Sequence, residues 1–200
     1  MGRKSEAKKK LIETALELIW ENSYHAIGVN EICKKAGVKP GSFYYFFPSK
    51  RDLALAAMEC HWTEAKEEIL ETAFHIDIPP LERIKKLLES IYLFHAAQQK
   101  ENKPVLGCAF GSFVGELGRG DETIRNRIQA IFSEIGAYFE STLRDAVSKG
   151  DLKIQEKDIP RTALALVAYY EGILLLARAN NDAKVIRELI PFALNLLNIT

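Results

Sequence analysis

Residues 29–53 read VNEICKKAGVKPGSFYYFFPSKRDL. Val29, Ile32, Cys33 and Ala36 recur at helical spacing over two turns, and Gly37 stands where a helix stop belongs. Pro40 suits the first position of a second, short helix, because its φ is preset and its missing N–H would have had no partner there. Pro48 ends that helix. Two helices joined by a tight glycine turn make a helix-turn-helix, a motif whose second helix enters the DNA major groove while its flanks hold phosphates. This second helix carries five consecutive aromatics, Phe43 to Phe47. Successive side chains point about 100° apart round a helix, so the five cannot share one face. Phe43 and Phe47, four apart, are expected inward. Tyr44 and Tyr45 are expected outward, where their hydroxyls can bond phosphates or bases. Phe46 is placed to meet sugar or a thymine methyl.

Charge points the same way. The chain of 200 residues has zero formal net charge, yet residues 1–51 carry ten Lys/Arg against five Asp/Glu. The remaining residues reverse the balance to −5, from seventeen against twenty-two. A basic N-terminal quarter on an acidic body fits a polyanion bound by that quarter, although a solvated charged face has the same composition. Lys39 and Ser42 lead the short helix and are the expected readers of bases or backbone. Lys50 opens the next helix, where the dipole and the ammonium both favour a phosphate. Arg3 and Lys4, with Lys8, Lys9 and Lys10, form a basic arm and first turn.

The rest of the chain also reads as helix. Leu11, Ile12, Ala15, Leu16 and Ile19 stripe a helix over about residues 5–22. Ser49 and Asp52 have the form of a capping box opening a helix that runs to about Phe74. Pro79-Pro80 starts the fifth helix and Pro104 a sixth. Asp121, Asp158 and Asp182 are expected to cap the seventh, eighth and ninth, and Pro191 to kink or split the last. The expected fold class is therefore all-α with about nine helices. A helix-turn-helix domain over residues 1–50 precedes a larger helical domain over 51–200. The N-terminus lacks a signal-peptide apolar core, and the stretch ALALVAYYEGILLLARA is broken by Glu171, so a soluble, cytoplasmic protein is expected, with no membrane partner. Cys33, Cys60 and Cys108 make no CxxC pair, and His61, His75 and His95 fall at no ligand spacing, so neither metal nor cofactor is expected.

The segment LIETALELIWENSYHAIGVNEICKKAGVKPGSFYYFFPSKRDL resembles the DNA-binding segment of TetR-family repressors, through Gly37-Val38, Gly41-Ser42-Phe43-Tyr44 and Ser49-Lys50. The resemblance covers about the first fifty-five residues. It implies an all-helical homodimer that binds a double-stranded, pseudo-palindromic operator through its N-terminal domain. It also implies an inducer bound in the larger domain and a dimer interface built from the last two helices. Two positions depart from the family pattern. Ile27 and Gly28 replace the frequent Thr-Ser before the second helix, leaving Asn30 as a substitute cap, and Phe46 replaces a frequent His or Tyr.

In the body, GCAFGSFVGELG spaces Gly107, Gly111 and Gly115 four apart, with Gly118 beyond. Each glycine weakens a helix by roughly 0.5–1 kcal/mol relative to alanine, so either close packing or an easily displaced sixth helix is expected. The stretch resembles a signature of the NemR/AcuR branch of the family, some of whose members sense electrophiles through the matching cysteine. Cys108 is thus a candidate sensor as well as a candidate small core residue, with Arg178 as a possible cationic neighbour lowering its pKa. Glu116 matches the acid of that signature and suits a cap or pair role as well as ligand contact. Trp62, Tyr92, His95, Cys108, Phe110, Phe113, Tyr138, Tyr169 and Glu171 are the candidates for contacting a small-molecule inducer or electrophile. The eighth and ninth helices are apolar nearly all round, as burial against both their own domain and a partner requires. A non-enzymatic repressor is expected. The alternatives are a cysteine-dependent enzyme acting on small electrophiles and a structural DNA-binding protein without ligand response.

Overall fold

The computed structural model describes the backbone of residues 2–198 and the side chains of residues 6–197. Helical periodicity is realised along nearly all of it, and no strand occurs among the described residues. The chain divides into two compact units, one of Met1–Glu64 with Ser112–Arg125, the other of Ala65–Gly111 with Asn126–Thr200.

In the first unit, α1 (Gly2–Glu21) buries Leu11, Ala15, Leu18 and Ile19 along one face. That face packs on α2 (Val29–Ala36) and α3 (Pro40–Phe46), which contribute Ile32, Cys33 and Phe43, with Phe47 following. The turn between α2 and α3 needs its glycine: Gly37 has φ +66°, a left-handed conformation that lets Val38 N–H reach the Cys33 carbonyl at 2.9 Å. Helix α4 (Lys50–Ala65) opens on a reciprocal box. Ser49 Oγ donates to the Asp52 carboxylate at 2.6 Å, and Asp52 N–H donates to Ser49 Oγ at 3.2 Å. The helix continues through one π turn, Lys66–Leu70, and ends in Glu71–Ala73.

The second unit is built from α5 (Pro80–Lys100), the start of α6 (Ala109–Leu117), most of α7 (Glu122–Lys149), α8 (Ile159–Asn180) and α9 (Lys184–Asn195). Its core holds Ile84, Leu87, Ile131, Phe139, Leu143, Leu166, Leu174 and Ile186, and α9 packs against both α5 and α8. Arg83 is 3 % exposed, and each of its three guanidinium nitrogens donates: to Asp145 at 2.6 Å and to the carbonyls of Ile78 and Ile76. The corner between α8 and α9 is fixed by Asn181 (φ 49°), whose side chain accepts Val105 N–H at 2.9 Å, and by Gln99, which accepts Ala183 N–H at 2.8 Å.

Several boundaries differ from expectation. Pro104 starts no helix; α6 begins at Ala109, and Gly107 lies before it with φ +68°. A Cβ on Gly107 would stand 3.0 Å from the Leu174 carbonyl, so this glycine serves a close approach rather than a helix, and only Gly111 and Gly115 lie within α6. Asp121 does cap, accepting Ile124 N–H at 3.1 Å; Asp182 stands one residue before the N-cap Ala183, and its carboxylate accepts Lys184 N–H at 2.9 Å. Asp158 stands at the N-cap of α8, at the end of a 3-10 turn, Glu156–Asp158, without a side-chain cap bond among the described residues. Pro191 leaves α9 unsplit. The segment Glu156–Asn180 is long and apolar enough to cross a bilayer by composition, yet Ile159, Ala163, Leu166, Val167, Ile173, Leu174 and Ala177 face the core of the second unit.

Candidate nucleic-acid interface and inducer site

The aromatic row separates as its helical phase requires. Phe43 is fully buried and Phe47 4 % exposed, whereas Tyr44 and Tyr45 are 62 % and 67 % exposed. Phe46 is half-buried, its ring edge-on to Tyr45 with centroids 4.9 Å apart. Lys39 is exposed as the extended N-cap of α3, and Ser42 is half-buried one turn on. Exposed Tyr44 and Tyr45 thus share a seven-residue helix with Ser42, close behind the Lys39 ammonium. That is a surface of hydroxyls and positive charge on a rigid base. Arg3 and Lys4 lie within α1, but their side chains fall outside the described residues.

Two of the expected contacts have other surroundings. Asn30 is exposed on the second position of α2 and does not cap it; Gly28 is the N-cap, with no side-chain bond among the described residues. Lys50 is half-buried. Its Nζ donates to the carbonyls of Tyr24 and Ile27, both at 2.6 Å, and lies 4.1 Å from the centre of the Tyr24 ring. Burial lowers its pKa, and the carboxylate of Glu116 offsets part of that. Two of three ammonium protons are therefore committed within the chain. Glu116 itself accepts from Ser23 Oγ at 2.9 Å and from Tyr24 N–H at 2.6 Å. Arg51 pairs with Asp121 through both guanidinium and carboxylate edges, which holds the Asp121 pKa down to about 2. Sequence reasoning had no route to these pairs. Ser23 and Glu116 are ninety-three positions apart and Arg51 and Asp121 seventy, beyond any local periodicity.

The candidate inducer residues are divided between the two units. Trp62 and Phe113 are buried in the first unit, the others belong to the second. There, Tyr92 lies under the Arg187 guanidinium, Tyr138 stacks on Phe74 at 5.2 Å, and Tyr169 donates to the Leu189 carbonyl at 2.8 Å. His95 is 3 % exposed, and burial lowers its pKa to about 4, so it is a neutral core histidine. Phe110 is buried as well. A surface groove on this unit is lined by Glu67, Glu71, Thr72, His75, Ile78 and Lys86, none of them an expected inducer residue.

Cys108 and Glu171 do meet. The thiol is hydrogen-bonded to the Glu171 carboxyl and accepts Gly111 N–H at 3.4 Å. A Cβ on Gly111 would stand 2.9 Å from Glu171 Oε2, so this glycine makes room for the carboxyl. Glu171 Oε1 is buried and finds no hydrogen-bond partner among the described residues. Burial pushes the Glu171 pKa up to about 6. Tyr170, absent from the expected set, joins the cluster: burial and then the charges of Cys108 and Glu171 raise its hydroxyl well above the ordinary value. The lowered thiol pKa expected beside Arg178 gives way to a raised one. The Arg178 stem lies beside Gly107, while burial and then the Glu171 carboxylate hold the Cys108 thiol well above its usual range.

Residues 11–57 match the model for bacterial regulatory proteins of the tetR family, and residues 80–192 match the tetracyclin repressor-like C-terminal domain. The chain belongs to the TetR family of transcriptional regulators. It is 28% identical to an uncharacterized HTH-type transcriptional regulator from the lacX 3' region of Lactococcus lactis, covering 90% of this chain and 87% of that one. It is 27% identical to the transcriptional regulator AcuR of Cereibacter sphaeroides, covering 87% and 77%. The crystal structure of a regulatory protein TetR from Rhodobacter sphaeroides superposes with a TM-score of 0.82 at 25% identity, over 94% of this chain and 96% of that one. TetR-family regulators are DNA-binding repressors, and both domains of that family are matched here.

Proposed function

We propose that this TetR-family protein is a cytoplasmic, non-enzymatic repressor that binds a pseudo-palindromic operator as a homodimer and releases it when a small molecule enters the larger domain. The observation that carries the DNA-binding part is the outward pair Tyr44 and Tyr45 on α3, with Lys39 and Ser42 at its leading end. Tyr44, Tyr45 and Phe46 meet backbone and bases, and Lys39 and Ser42 set sequence preference. Lys50 offers a phosphate its one uncommitted N–H, exposed Asn30 meets the backbone near α2, and Arg3 and Lys4 at the start of α1 reach the neighbouring backbone.

The dimer forms through α8 and α9. Leu164, Leu175, Leu176 and Phe192 are 50–68 % exposed on these two helices, a concentration of apolar surface that calls for a second copy. Release follows a reversible ligand at the Cys108–Glu171–Tyr170 cluster more readily than modification of Cys108. A thiol held protonated by burial and a neighbouring carboxylate is a poor nucleophile. The same geometry weighs against a cysteine-dependent enzyme, since the group at hand is an acid whose charge opposes thiolate formation.

Selection of genomic fragments with the purified protein tests this reading. The expected product is a fragment with two inverted half-sites, bound by a dimer with an affinity that falls steeply as salt rises. A monomer that retains no fragment, or salt-independent binding, overturns it.

A further inference from the structure

Helix α2 starts without a side-chain cap among the described residues, on Gly28. The loop that delivers it is instead held from two directions, both within the first unit. From the last turn of α6, Glu116 Oε2 accepts the Ser23 hydroxyl at 2.9 Å and Tyr24 N–H at 2.6 Å. From the first turn of α4, Lys50 Nζ donates to the Tyr24 and Ile27 carbonyls. The amide of Tyr24 thus meets a carboxylate while its carbonyl meets an ammonium. The next residues repeat the arrangement: Arg51 grips Asp121, and Asp121 caps α7 through Ile124 N–H.

We infer that Glu116 is a positioning residue for DNA binding: it fixes the 22–28 loop and through it the angle at which α2 and α3 meet the operator. The inference rests on the repressor reading above. Charge-assisted bonds are the strong ones, and here they hold a segment that makes no ladder of its own. With the Glu116 carboxylate gone, Ser23 and the Tyr24 amide lose their acceptor, and what remains is the Lys50 tie and a 3.4 Å contact of the His25 ring with the Glu116 backbone carbonyl. The loop then samples conformations in which the tyrosines of α3 and the first turn of α4 no longer match one phosphate register. That ordering has to be restored at each binding event, which lowers affinity.

The test uses the full-length protein and an operator fragment selected with it. Glu116→Ala is expected to bind the operator about tenfold more weakly, the effect of losing a charged hydrogen-bond acceptor. Peptides spanning residues 22–28 should exchange their amide hydrogens faster in this variant, with those of α5 and α8 unchanged. Glu116→Gln should restore most of both properties, because its amide oxygen can accept the same two bonds. Equal operator affinity in Glu116→Ala and wild type overturns the inference. So does a Glu116→Gln variant as weak as the alanine, which would make charge rather than loop position the cause. If Glu116→Ala proves unfolded by circular dichroism, Ser23→Ala carries the test, with a loss of about threefold expected for one bond and an unchanged affinity overturning the idea. A wild-type protein that retains no fragment overturns the repressor reading itself and this inference with it.

Discussion

Glu171 should make the stability of this protein depend on pH in the direction opposite to most carboxylates. Its pKa in the folded chain is about 6, raised from 4.5 by burial, with a hydrogen bond from Cys108 offsetting part of the shift. An acid whose folded pKa is raised binds more protons folded than unfolded between the two values. Stability therefore falls as pH rises through that window and stays low above it. A difference of 1.5 units between the two values corresponds to about 2 kcal/mol at 1.36 kcal/mol per unit. The perturbation is Glu171→Gln, which keeps the shape beside Gly111 and removes the charge. Urea unfolding at a fixed protein concentration should be followed from pH 4.5 to 8 for both proteins, since a dimer's apparent stability depends on concentration. The variant should gain about 2 kcal/mol over wild type across this range, most of it between pH 5 and 6.5. Parallel curves for the two proteins would refute the reasoning, because they would mean that Glu171 ionises in the folded chain as it does in the unfolded one.

Removing the Glu171 charge should also ease ionisation of Cys108, so N-ethylmaleimide should label Cys108 slowly in wild type at pH 7 and faster in Glu171→Gln; mass-spectrometric labelling rates that are equal would separate the two groups electrostatically. If thiol modification does release DNA, Cys108→Ser should bind the operator normally and resist the reagent, while Cys33→Ser and Cys60→Ser respond, as read by gel-shift titration. Leu164→Lys or Leu175→Lys should yield monomers by sedimentation and abolish operator binding, while far-ultraviolet circular dichroism stays helical. Tyr44→Phe should weaken operator binding roughly threefold to tenfold, the range for one lost hydrogen bond, without altering sequence preference, whereas Lys39→Ala should alter it.

What was legible in the sequence was local. Gly37, Pro40, Pro48 and the Ser49–Asp52 box each act within one turn of chain, and each fixes the boundary it was expected to fix. The division of the aromatics followed from helical phase alone: Phe43 and Phe47 lie on the α1-facing side, and the two tyrosines between them do not. Local rules failed where a tertiary contact outweighed them. Pro104 could have begun a helix, but the chain from Val105 to Gly107 is drawn to Asn181 and Leu174, and the left-handed turn at Gly107 delays α6 to Ala109. Asn30 could have capped α2 only from one or two residues earlier. Cys108 was visible as chemistry, but its pKa is set by burial and then by Glu171 sixty-three positions on, and a spacing pattern carries no information about either.

The departure at Ile27 and Gly28 becomes intelligible in the same terms. A hydroxyl at the start of α2 would satisfy helix N–H groups and fix the entry of the chain at once. Here Ile27 is buried, 5 % exposed, so its side chain anchors the entry apolarly while its carbonyl is satisfied by Lys50. The other half of the task, holding the preceding loop, passes to Glu116 on α6. A cap supplied by the neighbouring residue keeps its geometry whatever the rest of the chain does. A clamp supplied by α6 keeps it only while that part of α6 stays in place. The departure therefore leaves α2 without a side-chain cap among the described residues and ties its entry to α6 through Glu116. If that dependence is used, restoring a local cap should uncouple the two. Gly28→Ser, exposed and with no atom within 4 Å of a new Cβ, should leave the fold intact and bring Glu116→Ala back toward wild-type operator affinity. Should the double variant bind no better than Glu116→Ala alone, the loss would lie in something other than the placement of α2.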